Sequence, residues 1–142
     1  MKKTLETHRY GIWIDHRKAI LLHVDPQGRM EEQTMDSGLS ARKRFEGEET
    51  SKTGLFRHTL NRERSDQARF NLEYRKFVRS VITHLKRPSS LLILGPGDAR
   101  HELQREIMRR KSFASVEFEN RPADKMRISE LRRTVKDHFM EG

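Results

Sequence analysis

A short apolar run that ends in a glycine–proline–glycine turn is the segment of this sequence best suited to hold a ligand. Leu91–Leu94 is entirely apolar, Gly95-Pro96-Gly97 follows, and Asp98 stands where the polar pattern of a helix begins. This order predicts a buried strand that turns directly into a helix. The amino end of such a helix offers unpaired N–H groups and the positive end of the helix dipole. Gly95 and Gly97 therefore form a candidate phosphate-binding turn.

The same turn also has a purely structural interpretation, which its residue types favour. Aspartate is a common residue at the N-cap of a helix. The carboxylate of Asp98 would also repel an anion at the position that a phosphate would occupy. We therefore expect a tight strand-to-helix turn that is closed by its own cap.

Arginine dominates the charged residues of the predicted helices and contributes strongly to the loop that precedes them. The guanidinium group has a planar fork of donors that fits phosphate better than the ammonium group of lysine does. The candidate nucleic-acid-binding residues are Arg62, Arg64, Arg100, Arg105 and Arg109. The alternative is a solvated face whose charge only maintains solubility.

The net charge of the chain indicates which class of partner the protein binds. The chain has 142 residues, which suits one compact domain over residues 1–142, and its net charge is +9. An anionic partner is expected, with nucleic acid first and an acidic membrane surface second.

The absence of cysteine excludes disulfides and thiolate metal sites. The first residues lack an apolar signal region and no stretch is long enough to span a bilayer, so we expect a soluble cytoplasmic protein.

Alternating apolar residues predict three strands at the start of the chain. They lie near Tyr10–Asp15, Ala19–Asp25 and Arg29–Met35, with a β-turn over Asp25-Pro26-Gln27-Gly28 between the second and the third. In the first strand, Tyr10, Ile12 and Ile14 share one face. Such closely spaced strands predict an antiparallel meander.

The second half of the chain alternates between helical and strand patterns. A helix is predicted over Ala68–Lys86, and a second helix follows the Gly-Pro-Gly turn. A strand is predicted over Ala114–Glu119, and Ser129 is expected to cap a last helix. The core-facing stripe of the first helix is Phe70, Tyr74, Phe77, Val81 and Leu85. The order of elements is therefore βββ, loop, αβαβα, which is typical of an α/β protein.

The segment Ser37–Asp66 has few large apolar residues, many charges of both signs and no sustained period. Such a segment buries too little apolar area to offset the entropy of ordering it. We expect a long mobile loop here, and a loop of this length in a small domain indicates function or disorder.

The order of elements resembles the central domain of the archaeal and eukaryotic class-1 peptide-chain release factors and of their relative Pelota. The local match is best at Tyr74–Arg79 in the first helix and at Leu91–Asp98, where the family also has a hydrophobic strand that ends in Gly-Pro-Gly. The resemblance implies a ribonuclease-H-like mixed sheet and a role in translation or ribosome rescue. Bacterial stand-alone translational machinery proteins would be the nearest relatives.

The sequence departs from this family at the point where release factors carry Gly-Gly-Gln. In the corresponding loop Gly54 is followed by Leu55, and Gln67 has no glycine pair before it. No residue of the family's peptidyl-tRNA hydrolysis site can therefore be assigned to this chain. The resemblance then implies a binding module without catalytic residues and without a cofactor.

A metal-dependent nuclease is the alternative on the same layout. Ribonuclease-H-like nucleases hold two divalent cations with carboxylates from the first strand, the first helix and the end of the fourth strand. Asp15, Glu73 and Asp98 fall on those elements. Carboxylates at these positions are more often solvated or capping, so convergence of the three is the test.

The histidines and the tryptophan offer weaker candidates. The seven histidines show no spacing typical of metal ligands, although His16 and His23 could face one another across the first hairpin beside Asp15. Trp13 alternates with core residues, so we expect it to be buried rather than to stack on bases.

Three functions remain open from the sequence. The first is an RNA- or ribosome-binding module, which a clustered basic face would favour. The second is the metal-dependent nuclease, which convergence of the three carboxylates would favour. The third is a protein-interaction domain, with protein partners unknown, which evenly scattered charge would favour.

Overall fold

The computed structural model describes residues 7–39 and 56–140, which form a five-stranded mixed sheet with helices on both faces. The strands are β1 (Arg9–Ile14), β2 (Lys18–Val24), β3 (Met30–Asp36), β4 (Ser90–Gly95) and β5 (Glu117–Pro122). The helices are α1 (Phe56–Ile82), α2 (Ala99–Met108) and α3 (Ile128–Met140), with one 3₁₀ turn at Lys111–Phe113. The predicted α/β fold, with its order βββ-αβαβα, is confirmed.

The sheet has the strand order β3-β2-β1-β4-β5. β1, β2 and β3 pair antiparallel, as the predicted meander requires, whereas β1 with β4 and β4 with β5 pair parallel. Parallel neighbours need a crossover connection, and α1 and α2 supply the two crossovers. The carboxyl ends of β1, β4 and β5 therefore meet at one edge of the sheet, where the Gly-Pro-Gly turn lies.

Each face of the sheet carries its own hydrophobic core. Tyr10, Ile12 and Ile14 lie on the face covered by α1 and α2, which confirms the predicted alternation of β1. Trp13 belongs to the opposite face, where it packs in one cluster with Leu131 and Val135 of α3. The predicted stripe of the first helix packs into the first of these cores, although α1 ends at Ile82 instead of Lys86 and Leu85 follows it.

Helix α1 begins at Phe56 rather than at Ala68, so residues 56–66 of the predicted loop are helical. These residues include neither glycine nor proline, and straight-chain residues such as Arg62, Glu63 and Arg64 favour a helix. The apolar period starts only at Phe70 because residues 62–65 are exposed and have no core to face. Residues 40–55 of that loop lie outside the described residues, and its mobility stays a prediction.

Two other predicted boundaries are corrected. β5 covers Glu117–Pro122 instead of Ala114–Glu119, because its register is set by parallel pairing with β4 from Ser90 to Gly95. Ser129 lies inside α3 and does not cap it. The carboxylate of Glu130 instead accepts a hydrogen bond from the backbone N–H of Arg127, at 3.0 Å, as in half of a capping box.

Candidate nucleic-acid interface

Arg100, and not Asp98, closes the turn between β4 and α2. Asp98 occupies the N-cap position, as expected, but its carboxylate makes no capping hydrogen bond, so the predicted self-capped turn is wrong in this detail. The Nε of Arg100 donates to the carbonyl oxygen of Gly95, at 3.1 Å. The guanidinium group thus reaches back along the chain and holds the end of the strand.

The same arginine joins α2 to the edge strand β5. Its Nη1 donates to Oδ1 of Asn120, at 2.6 Å, and Nδ2 of Asn120 donates to Oε1 of Gln104, at 2.5 Å. Arg100, Asn120 and Gln104 are all half-buried. The geometry gives Arg100 a structural role on the β5 side of α2.

The two glycines of the turn meet different surroundings. Gly95 has φ +151°, and a Cβ added there would lie 2.1 Å from the carbonyl oxygen of Ile14. Gly97 has φ +61° but faces open space. Close approach of β4 to the end of β1 therefore accounts for Gly95, without a ligand.

The three carboxylates of the nuclease hypothesis do not form a metal site. Oδ1 of Asp15 accepts the backbone N–H groups of Arg17 and Lys18, at 2.8 and 2.9 Å, and so stabilises the β1–β2 turn. Among the described residues, no group of three histidine, cysteine, aspartate or glutamate side chains could hold a metal ion, so Asp15, Glu73 and Asp98 do not converge. The observation that would have favoured a nuclease is not found.

His16 and His23 do not face one another across the first hairpin. The strand register places His23 opposite Tyr10, and its ring stacks on the rings of Tyr10 and His8. His16 lies in the turn and packs edge-on against Tyr74 of α1, with ring centroids 4.6 Å apart. The pairing was predicted wrongly because the turn residue and the strand residue point to different neighbours.

The environment of His23 predicts that the stability of the protein depends on pH. Burial, helped by the adjacent His8, lowers the pKa of His23 below its ordinary 6.5, against the opposing effect of Glu31 and Asp25. The unfolded chain then binds the proton more readily, so the free energy of unfolding should fall as pH decreases through and below about 6.5. Urea unfolding at a series of pH values should show this slope, and it should flatten in His23→Gln. An equal slope in the variant would contradict the assignment.

Trp13 is buried as predicted, with 3% of its surface exposed. Its Nε1 donates to the carbonyl oxygen of Asp124, at 3.1 Å, which ties β1 to the segment before α3. The indole ring is therefore a core residue and is not available to stack on bases.

Positive charge is concentrated on the layer formed by α1 and α2. Residues 62–82 and 99–110 carry ten arginines and lysines and five acidic residues. The edge strand β3, in contrast, carries Glu31, Glu32 and Asp36 and no basic residue. The basic residues of the helical layer, here called the basic face, are Arg62, Arg64, Arg69, Arg75, Lys76, Arg79, Arg100, Arg105, Arg109 and Arg110.

The predicted arginines of α2 lie on opposite sides of the helix. Arg105 and Arg109 lie on the side that faces α1, where they are close to Glu102 and Glu106 at 3.9 and 3.5 Å. Arg100 lies on the other side, toward β5. Arg105 and Arg109 each expose 65% of their side chains, so both are accessible to a ligand. The structure therefore brings two of the three together.

Arg62 and Arg64 lie on the amino-terminal part of α1, and both side chains are exposed. They are separated from Arg79 by four to five turns of helix, about 25 Å at 1.5 Å per residue. They therefore extend the basic face lengthwise along α1 and do not share one site with Arg105 and Arg109.

Sequence reasoning missed a cluster at the end of the basic face that lies away from Arg62 and Arg64. Glu106 is buried, with 7% of its surface exposed, and three arginines surround its carboxylate: Arg79, Arg109 and Arg110. A signal was present, because Glu106 falls on the buried stripe of α2 beside Leu103 and Ile107. A charged residue within an apolar helical stripe requires partners, and the three ion-pair partners of Glu106 are arginines.

None of the helices in the described part of the chain is long and apolar enough to cross a membrane.

The sequence matches no family model and no curated protein. Among solved structures, the chain is similar to the Pelota protein of Thermoplasma acidophilum, with a TM-score of 0.51 and 17% sequence identity. The match covers all of this chain and 34% of the Pelota chain, so this chain spans about a third of that relative. The comparison shows a Pelota-like α/β fold.

Proposed function

We propose that this protein is an RNA- or ribosome-binding domain of the translation apparatus, and that it acts by binding rather than by catalysis. The observation that carries the proposal is the segregation of charge: the basic face covers α1 and α2, whereas the exposed edge strand β3 is acidic. The α1–α2 layer carries ten basic residues against five acidic ones, and this imbalance favours an anionic partner. The Pelota-like fold supports the assignment to translation, which would place the protein in the cytoplasm.

The corresponding part of the release factors and of Pelota would be their central domain, as the order of elements indicates. The chain would then form a single domain over residues 1–142. The Gly-Gly-Gln tripeptide of release factors is absent from the sequence, which supports a role without peptidyl-tRNA hydrolysis.

Accessibility favours Arg62, Arg64, Arg105 and Arg109 as the phosphate contacts. All four are exposed, and they lie on a face about 25 Å long, which could follow several nucleotides of a backbone. Arg100 contributes differently, because its guanidinium group is held by Gly95 and Asn120. We expect it to support the position of α2 and not to bind phosphate itself.

Binding to RNA should weaken steeply with salt, because each neutralised phosphate releases condensed counterions. With about four contacts to a single strand, the log–log slope of affinity against salt should be near −3, at ~0.7 per contact. Fluorescence anisotropy of a labelled oligouridine, titrated with the full chain at several salt concentrations, measures this slope. Changing Arg62, Arg64, Arg105 or Arg109 to alanine should reduce the slope by about one contact each.

Arg100→Ala serves as the internal comparison, since it should lower the melting temperature while the slope stays close to that of the wild type. Absence of binding at low salt, or a slope that none of the four variants changes, would overturn the proposal. The protein-interaction domain would then become the leading function.

A further inference from the structure

We infer that Arg79, Arg109 and Arg110, gathered around the buried carboxylate of Glu106, form a binding site for one phosphate group of an RNA backbone. This inference rests on the proposed function and names one further contact within it. Arg79 comes from α1, and Arg109 and Arg110 directly follow the last residue of α2. The site therefore exists only in the folded protein.

The guanidinium groups of the cluster lie close together, but the carboxylate of Glu106 does not accept hydrogen bonds from all of their donors. The carboxylate oxygens of Glu106 lie 3.5 Å from Arg79, 3.5 Å from Arg109 and 3.6 Å from Arg110. Tight charge-assisted hydrogen bonds between nitrogen and oxygen are about 2.7–2.9 Å long. One carboxylate has two oxygens and cannot accept all the donors of three guanidinium forks. Donors therefore remain for a further acceptor.

The charge balance of the cluster favours an anion. Three guanidinium groups surround one carboxylate, which leaves an excess of positive charge at the junction of α1 and α2. Such an excess repels itself unless an anion or solvent screens it. Glu106 is the positioning residue, since it holds like charges together that would otherwise separate.

The remaining donors are exposed, so a ligand can reach them. The side chains of Arg79 and Arg109 are 51% and 65% exposed, whereas that of Glu106 is only 9% exposed. Arg110 is more enclosed and is also anchored, because its Nη1 donates to the carbonyl oxygen of Glu106, at 3.1 Å. The cluster thus has an enclosed base, formed by Glu106 and Arg110, and an open rim, formed by Arg79 and Arg109.

A phosphate group fits this rim better than a carboxylate does. Planar guanidinium forks pair bidentately with phosphate, whose oxygens point in several directions and so can meet forks from two helices at once. The exposed side chains of Arg75 and Arg105 lie nearby on the facing sides of the same two helices, as the helical spacing from Arg79 and Arg109 requires. They could contact the neighbouring phosphates of a strand, which favours a backbone over a lone anion.

The test compares two double variants with equal loss of charge. Arg79→Ala with Arg109→Ala removes the open rim, whereas Arg133→Ala with Lys136→Ala removes two exposed cations of α3 on the other side of the sheet. Anisotropy with labelled oligouridine should show at least about tenfold weaker binding for the rim variant at low salt. Its log–log salt slope should fall by ~0.7, the contribution of the one phosphate that the cluster binds. The α3 variant should retain nearly the wild-type slope.

A conservative variant keeps the test valid if the alanine variant folds poorly. Arg79→Lys with Arg109→Lys retains the charge and the alkyl stems but loses the planar forks, so an intermediate loss of affinity is expected. Inorganic phosphate provides a second arm: it should shift the side-chain Nε–Hε NMR signals of Arg79, Arg109 and Arg110 and leave that of Arg133 in place.

The outcomes separate the two proposals. If the wild type binds RNA and the rim variant matches the α3 variant, the cluster is not the phosphate site, although the proposed function stands. If the wild type does not bind RNA at low salt, the proposed function fails. In that case shifts caused by inorganic phosphate would identify a site for a free anion and would overturn an RNA backbone as the ligand.

Discussion

Gly95→Ala should destabilise the protein by about 3 kcal/mol or more, among the largest effects available to a single methyl group. The backbone at Gly95 has φ +151°, a conformation that residues with a side chain rarely adopt, and the added Cβ would lie 2.1 Å from the carbonyl oxygen of Ile14. That neighbour is the backbone of the central strand β1, which cannot move without breaking its pairing with β2 and β4. The strained backbone conformation and the steric overlap with Ile14 therefore both contribute to the loss of stability.

Gly97→Ala is the matched control for this change. Gly97 also has a positive φ, +61°, but nothing lies within 4 Å of the added Cβ. The loss of stability should come only from placing alanine in the left-handed backbone conformation, and it should be about 1 kcal/mol. Urea unfolding followed by circular dichroism distinguishes the two variants. Equal losses of stability would mean that β4 does not approach β1 closely at Gly95, and the account of this turn would be wrong.

Gly11→Ala should cost about 2–3 kcal/mol, for a different reason. Gly11 lies in the middle of β1, on the face that α3 covers, and an added Cβ would lie 2.3 Å from Cγ2 of Val135. Val135 is fully buried, so its side chain has little room to move away. The missing side chain of Gly11 is what allows α3 to rest directly on the sheet.

A rescue experiment tests this contact specifically. Val135→Ala alone should cost about 2 kcal/mol because it leaves a cavity against the sheet. In the double variant the new methyl group at position 11 would occupy part of that cavity. The two losses should then be less than additive by about 1–2 kcal/mol, as expected for residues in direct contact. Strict additivity of the two changes would show that α3 does not dock at Gly11.

Gly95 and Gly11 affect different parts of the molecule, so replacing them should have different effects on RNA binding by the basic face. Gly95 ends the strand that leads into α2, so its replacement should disturb the position of Arg109 relative to Arg79. Gly11 lies beneath α3, on the other side of the sheet from the basic face. A Gly11→Ala protein that remains folded should therefore retain its salt-dependent binding of RNA.

The sequence by itself determined the features that depend on neighbours along the chain. Alternation placed Tyr10, Ile12 and Ile14 on one face of β1, and a spacing of three and four residues marked the buried stripe of α1 from Phe70. The apolar run with its glycines located β4 and the start of α2. These patterns hold because side-chain direction follows the period of the element itself. Where the period was missing, at residues 56–66, the helix was missed as well.

The partners of each charged side chain were decided only by the tertiary structure. Arg100 and Arg105 are alike in the sequence, yet the helix turns one toward Asn120 of β5 and the other toward α1. Glu106 acquires Arg79, which is 27 residues away in the chain, only because α1 and α2 pack side by side on the sheet. Docking across the sheet brings together residues that no local period relates. For that physical reason the partners of Glu106 could not be predicted from the sequence, although its place on the buried stripe of α2 could.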